Sequence, residues 1–146
     1  RFDWLASGDA GVTNSKVAYL MASQIGRKID GMKAHHHLSW KSMAARSMSI
    51  LQPKLIVSEN FWTHQPWPAE FAAMYDAYPG EKNIFFTNIA AEVAAANPAM
   101  MSKVTDYNGH VVVRVAPGGD EYTVYKLDAT DYKYNVKAIY GPFKCE

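Results

Sequence analysis

The segment KVTDYNGHVVVRV, residues 103–115, lies where the chain changes its period. Before it, apolar residues recur at spacings of three and four; after it they alternate. Its centre, Asn108-Gly109, is the pair favoured in a two-residue hairpin turn, where both central residues take positive φ. With Lys103–Tyr107 on one side and His110–Val115 on the other, it predicts a β-hairpin. Pro117-Gly118-Gly119 predicts the next reversal, into Glu121–Leu127, and Asp128–Asp131 a third, into Tyr132–Tyr140. On that last stretch Tyr132, Tyr134, Val136, Ala138 and Tyr140 share one face while Lys133, Asn135 and Lys137 share the other, the pattern of a half-buried strand. The expectation for residues 103–140 is a four-stranded antiparallel meander.

Working back towards the start, residues 1–100 read as mainly helical, with about four helices, after an irregular lead through Val12. Thr13 or Asn14 is a good N-cap for a first helix, with Val17, Leu20, Met21, Ile25 and Ile29 on one face and Asp30-Gly31 as its stop. A second helix is expected from Ala34 to Leu51, closed by Pro53. Residues 53–67 are ambiguous: Lys54–Ser58 reads as a short buried strand, and Phe61–Trp67 as an aromatic loop. Pro68 suits the first turn of a third helix, with Phe71, Met74, Tyr75 and Tyr78 on one face before Pro79-Gly80. Residues 84–96 fit either a fourth helix or a strand at Ile84-Phe85-Phe86 followed by a shorter helix. The whole reads as one α+β domain over residues 1–146, an N-terminal helical region followed by the meander.

Composition supports a globular chain: 49% of its 146 residues are apolar and 20% charged, above the hydrophobicity of disordered segments. No apolar run approaches the ~20 residues of a membrane span, so a soluble protein is expected. One cysteine, Cys145, precludes an internal disulfide framework and points to a reducing, intracellular compartment. The start at Arg1 fits an organellar protein that has lost a presequence, or a segment boundary. Net charge is +1, which gives no strong nucleic-acid signal. Its distribution is uneven. Residues 1–54 carry +5 and residues 55–100 carry −4, a split that suits docking to other protein subunits.

Three constellations bear on chemistry. His35-His36-His37 places consecutive side chains about 100° apart if helical, so three cannot converge on one metal. On a strand His35 and His37 would share a face, and with Asp131 they form the candidate metal set. Asp131-Tyr132-Lys133 has a carboxylate-x-lysine spacing that, with Asp120 or Asp106, is compatible with metal-dependent phosphodiester hydrolysis. The aromatic stretch from Phe61 through Trp62 and His64 to Trp67, with Trp40, is the candidate interface, because Trp and Tyr often anchor protein contacts. The same loop would also suit stacking on a small ligand.

No phosphate-binding or dinucleotide glycine motif, nucleophile elbow or zinc-protease motif is present. No catalytic residue and no cofactor is therefore assigned. The leading expectation is a non-catalytic structural or accessory subunit of a larger assembly, such as an organellar energy-transducing complex or a virus particle. The alternatives are a small metal-dependent hydrolase or nuclease, and a ligand-binding module built on the aromatic loop.

Overall fold

A computed structural model describes residues 1–11 and 15–146 of the chain; of Ser15 it describes the backbone alone. The N-cap expected at Thr13 or Asn14 lies outside the described residues. The class is α+β, but the arrangement is not a helical half followed by a four-stranded meander. Residues 1–101 contain a four-stranded parallel sheet with helices between its strands, and only three strands make up the antiparallel sheet that follows.

The parallel sheet is built from β1 (Trp4–Leu5), β2 (Gly31–Lys33), β3 (Leu55–Ser58) and β4 (Asn83–Phe86), in the order β1-β2-β3-β4. Between them run α1 (Ser15–Ile25), α2 (Ala45–Leu51) and α3 (Pro68–Asp76), with α4 (Ala91–Ala96) and α5 (Pro98–Met101) after β4. Right-handed crossovers in a sheet whose order follows the sequence put every connecting helix on one face. One core accordingly joins Met32, Ile56, Ile84 and Phe86 of the strands to Ala22, Met48, Leu51, Phe71, Met74, Val93 and Met100 of the helices.

The other face of the parallel sheet is covered by β5 (His110–Val115), β6 (Glu121–Leu127) and β7 (Val136–Lys144), an antiparallel sheet in that order. Leu55, Val57 and Phe85 pack there against Tyr122 and Val124. Strand side chains alternate between faces, so Leu55-Ile56-Val57 serves both cores in turn. Strands buried on both faces read as short continuous apolar runs without period-two alternation, which is why residues 54–58 and 84–86 were ambiguous. In both places the strand alternative is the observed one.

The first helix ends at Ile25 rather than running to Ile29. Gly26, at φ +63°, donates its amide to Ala22 O at 2.8 Å, the left-handed cap that glycine allows. Ala18 and Ala22 are its buried positions, whereas Val17 and Leu20 stay exposed. The expected 34–51 helix reduces to a single 3-10 turn at His35–Leu38 and to α2. Asp30-Gly31 does not stop a helix but leads into β2. An added Cβ on Gly31 would sit 2.8 Å from the Trp4 ring, so the close pairing of β1 with β2 requires glycine there.

The hairpin expected at Asn108-Gly109 is absent. Residues 103–109 run alongside the edge of β4 instead: Thr105 N donates to Ile84 O (2.8 Å), Phe86 N to Asp106 O (3.0 Å) and Gly109 N to Thr87 O (2.9 Å). The unpaired groups of an edge strand take up the segment that would otherwise pair with β5. Gly109 remains obligatory, because a Cβ there would meet Leu127 O at 2.4 Å. The tyrosine row is also displaced: β7 begins at Val136, and Tyr132 and Tyr134 are exposed in the loop before it.

Two buried charges tie the layers together. The Asp30 carboxylate accepts the amides of Asp3 and Glu146, each at 2.6 Å, fixing both ends of the chain to the parallel sheet. The Lys126 ammonium, buried between the sheets, donates to Phe86 O (3.1 Å) and Gly109 O (3.2 Å). No helix among the described residues is long and apolar enough to cross a membrane.

Candidate functional site

In open parallel sheets, loops at the carboxyl ends of the strands hold the ligand-binding groups. Here those loops are 6–11 after β1, 34–44 after β2, 59–67 after β3 and 87–90 after β4. They are bonded into one rim. His36 N donates to Gly8 O (3.1 Å), Trp67 N to Leu38 O (2.7 Å) and Thr87 N to Ser58 O (3.0 Å). The Gln65 amide donates to Ser39 Oγ (3.0 Å), and the Glu70 carboxylate accepts the amides of Lys41 (2.6 Å) and Met43 (2.8 Å).

The centre of the rim is the turn carrying the three histidines. His36, His37 and Leu38 all adopt left-handed backbone conformations, with φ of 43°, 57° and 56°. None is glycine, and non-glycine residues in sparsely populated regions cost of order 1–3 kcal/mol each and cluster at functional sites. The result is a placement neither a helix nor a strand would give. His35 turns inward to Ser7, its Nδ1 in hydrogen-bond contact with Ser7 Oγ. His37 turns towards Asp9, with Nε2 3.2 Å from Asp9 Oδ1. Lys33 Nζ lies 4.0 Å from the same carboxylate oxygen and donates to Gly8 O and Ala34 O, each at 3.2 Å.

Burial is the larger cause, and the Lys33 charge the smaller, that lowers the His35 imidazole to a pKa of about 4. The ring is neutral at neutral pH, so one nitrogen faces Ser7 and the other, Nε2, is left without a partner. His37 Nδ1 is likewise buried and unpaired. Next to β3, Ser58 Oγ donates to Asn60 Oδ1, which leaves the Asn60 Nδ2 amide unpaired, and Ser42 Oγ is a fourth such atom. Native proteins leave few buried polar atoms unsatisfied. Six occur among the described residues, and these four fall in the loops after β2 and β3.

The candidate residues from the sequence divide between this rim and other places. His35 and His37 are at its centre, and Trp40, Phe61, Trp62, His64 and Trp67 stand around it. Phe61 is 85% exposed, Trp62 66% and Trp40 58%, so these rings are open to solvent. His64 and Trp67 also line a cavity of about 210 Å³ with Pro66, Val93 and Asn97. Asp131 lies in the β6–β7 loop of the antiparallel layer, where its carboxylate accepts the Lys133 amide at 2.8 Å and closes its own turn. Asp120 belongs to the β5–β6 turn of that layer. No group of three or more His, Cys, Asp or Glu among the described residues is placed to hold one metal ion.

Sequence reasoning missed Ser7, Asp9, Ser42 and Asn60. A two-residue β1 has no periodic signal, so the loop that follows it reads only as a polar lead. Comparison with protein-family models, with curated proteins and with solved structures finds no match. The site therefore rests on its own geometry.

Proposed function

We propose that the chain binds a small polar ligand with a flat face, of the size and chemistry of a nucleoside or monosaccharide, at the carboxyl edge of its parallel sheet. The observation that carries this reading is the set of four unpaired buried polar atoms, at His35, His37, Ser42 and Asn60, gathered in adjoining loops. A ligand's hydroxyl, carbonyl or amide groups, or water it retains, would satisfy them, and leaving each unmade costs about 1–3 kcal/mol. Trp62 and Trp40 on the rim offer faces for stacking, worth about 1–3 kcal/mol per base where measured.

The test is a titration with a panel of nucleosides and monosaccharides, followed by tryptophan fluorescence and thermal shift. Saturable binding by the native chain, weakened at least tenfold in His37→Ala and in Trp62→Ala, supports the reading. Binding that both variants retain undiminished refutes it.

Docking into a larger assembly is a second reading, favoured by the exposure of Phe61, Trp62 and Trp40 on one rim. Residues of this type at the centre of an interface often dominate its energy. A chain that stays monomeric and recovers no specific partner from its native source would count against it.

A further inference from the structure

At the opposite, amino-terminal edge of the parallel sheet lies a cavity of about 340 Å³. It is lined by Lys54, just before β3, by Asn83, the first residue of β4, by Glu81 of the α3–β4 loop, by Lys144 at the end of β7 and by Glu146 beyond it. Lys28, before β2, completes the wall. Three ammonium groups thus face two carboxylates. Lys54 is paired with Glu146 at 2.8 Å and Lys144 with Glu121, outside the cavity, while Lys28 has no ion pair among the described residues.

Tyr122 also lines this cavity and is 1% exposed. Its ring packs against Phe2 and Phe143 with centroids 5.1 and 5.2 Å away, a role phenylalanine would fill equally well. Its hydroxyl has no hydrogen-bond partner. Burying a hydroxyl without a partner is unfavourable, so the oxygen calls for a group that reaches it from the cavity. Among the described residues it is the one unpaired buried side-chain atom whose residue lines this cavity.

We infer that the cavity is a second binding site, for a small phosphorylated polyol such as a sugar phosphate. The phosphate would sit among Lys28, Lys54 and Lys144 and accept the Tyr122 O–H, and the polyol hydroxyls would donate to Glu81 and pair with the Asn83 amide. A bare cation is excluded by the three lysines. A bare dianion would meet Glu81 with nothing between them. The volume is at the small end of ligand pockets, which suits a pentose phosphate and not a dinucleotide.

The test is calorimetric titration of the native chain at constant ionic strength with ribose 5-phosphate, inorganic phosphate and ribose in separate arms. The expected result is a saturable ribose 5-phosphate site, at least tenfold weaker in Tyr122→Phe and severalfold weaker in Lys28→Gln, and distinct from any site that ribose itself occupies. Without ligand, Tyr122→Phe should melt no lower than the native chain, which separates lost binding from lost folding. Absence of saturable binding to the folded native chain would overturn the inference, as would equal binding by Tyr122→Phe. Inorganic phosphate binding as tightly as ribose 5-phosphate would overturn the polyol assignment. Ribose binding as tightly as ribose 5-phosphate would show that the lysines contribute nothing and overturn this site.

Discussion

Mild acid should weaken the fold through His35 before it affects the carboxylates. The imidazole has an ordinary value of 6.5 and is lowered to about 4 in the folded chain, by burial first and by Lys33 second. Between these values the unfolded chain binds a proton that the folded chain does not, so stability falls as pH falls. The contribution is fully present above 6.5 and lost as pH passes down through about 4. Linkage over the whole interval amounts to about 3 kcal/mol, of which about 2 kcal/mol is lost by pH 5. Asp3, Asp128 and Glu146 also have lowered values, but their ordinary values are 3.8, 3.8 and 4.5, so their losses fall mainly below pH 5. Denaturant unfolding of the native chain and of His35→Gln at pH 7 and pH 5 isolates the histidine. The native chain should lose about 2 kcal/mol more than the variant over that step. Equal losses would refute the burial of a neutral His35 against Ser7.

Other perturbations test the layers that position the site. Asp30→Ala strands the amides of Asp3 and Glu146 and should destabilise by about 3 kcal/mol or more, since hydrogen bonds to charged groups contribute about 1.5–3 kcal/mol each; Asp30→Asn should cost less, and chemical denaturation measures both. Gly31→Ala forces the Trp4 ring away from β2 and should cost about 1–3 kcal/mol, as overpacking does, with a change in tryptophan fluorescence. The Lys126 ammonium is held below its ordinary 10.5 by burial, opposed in part by Asp106. Through this group the folded chain binds fewer protons as pH approaches 10.5, so its contribution to stability rises with pH, while Tyr78, Tyr122 and Tyr140, whose hydroxyls burial raises, contribute with the opposite sign. Unfolding curves of the native chain and of Lys126→Met from pH 8 to 10 share the tyrosine contribution, and the difference between them should move in the native chain's favour as pH rises; a difference that stays constant would refute the burial of the charge.

What could be read from the sequence was what local chemistry determines. Pro68 opens α3 and Pro79-Gly80 follows it, and Phe71 and Met74 are buried as their spacing requires. The alternation of Glu121–Leu127 marks β6 with the expected bounds. The parallel sheet was hidden because its strands are two to four residues long, too short for any period, and buried strands carry no alternation. Asn108-Gly109 was misread because turn residues state that the chain bends, whereas the partner is chosen by the free edge of β4. The histidine turn was hidden for a related reason. Three left-handed residues in a row, none of them glycine, are imposed by the bonds of loop 34–44 to its neighbours rather than by their own preference. Of the site, the histidines and the aromatic loop were legible as unusual residues. Their meeting with Ser7, Asp9 and Asn60 belongs to the topology.

Ligand contact at the carboxyl edge is read by the ¹⁵N resonances of the histidine rings during titration with the tightest ligand of the nucleoside and sugar panel. His35 Nε2 and His37 Nδ1 should shift together and saturably, while His110, in the antiparallel layer, stays fixed. If ligand saturates the protein with the His35 and His37 rings unmoved, the carboxyl edge is not the binding site.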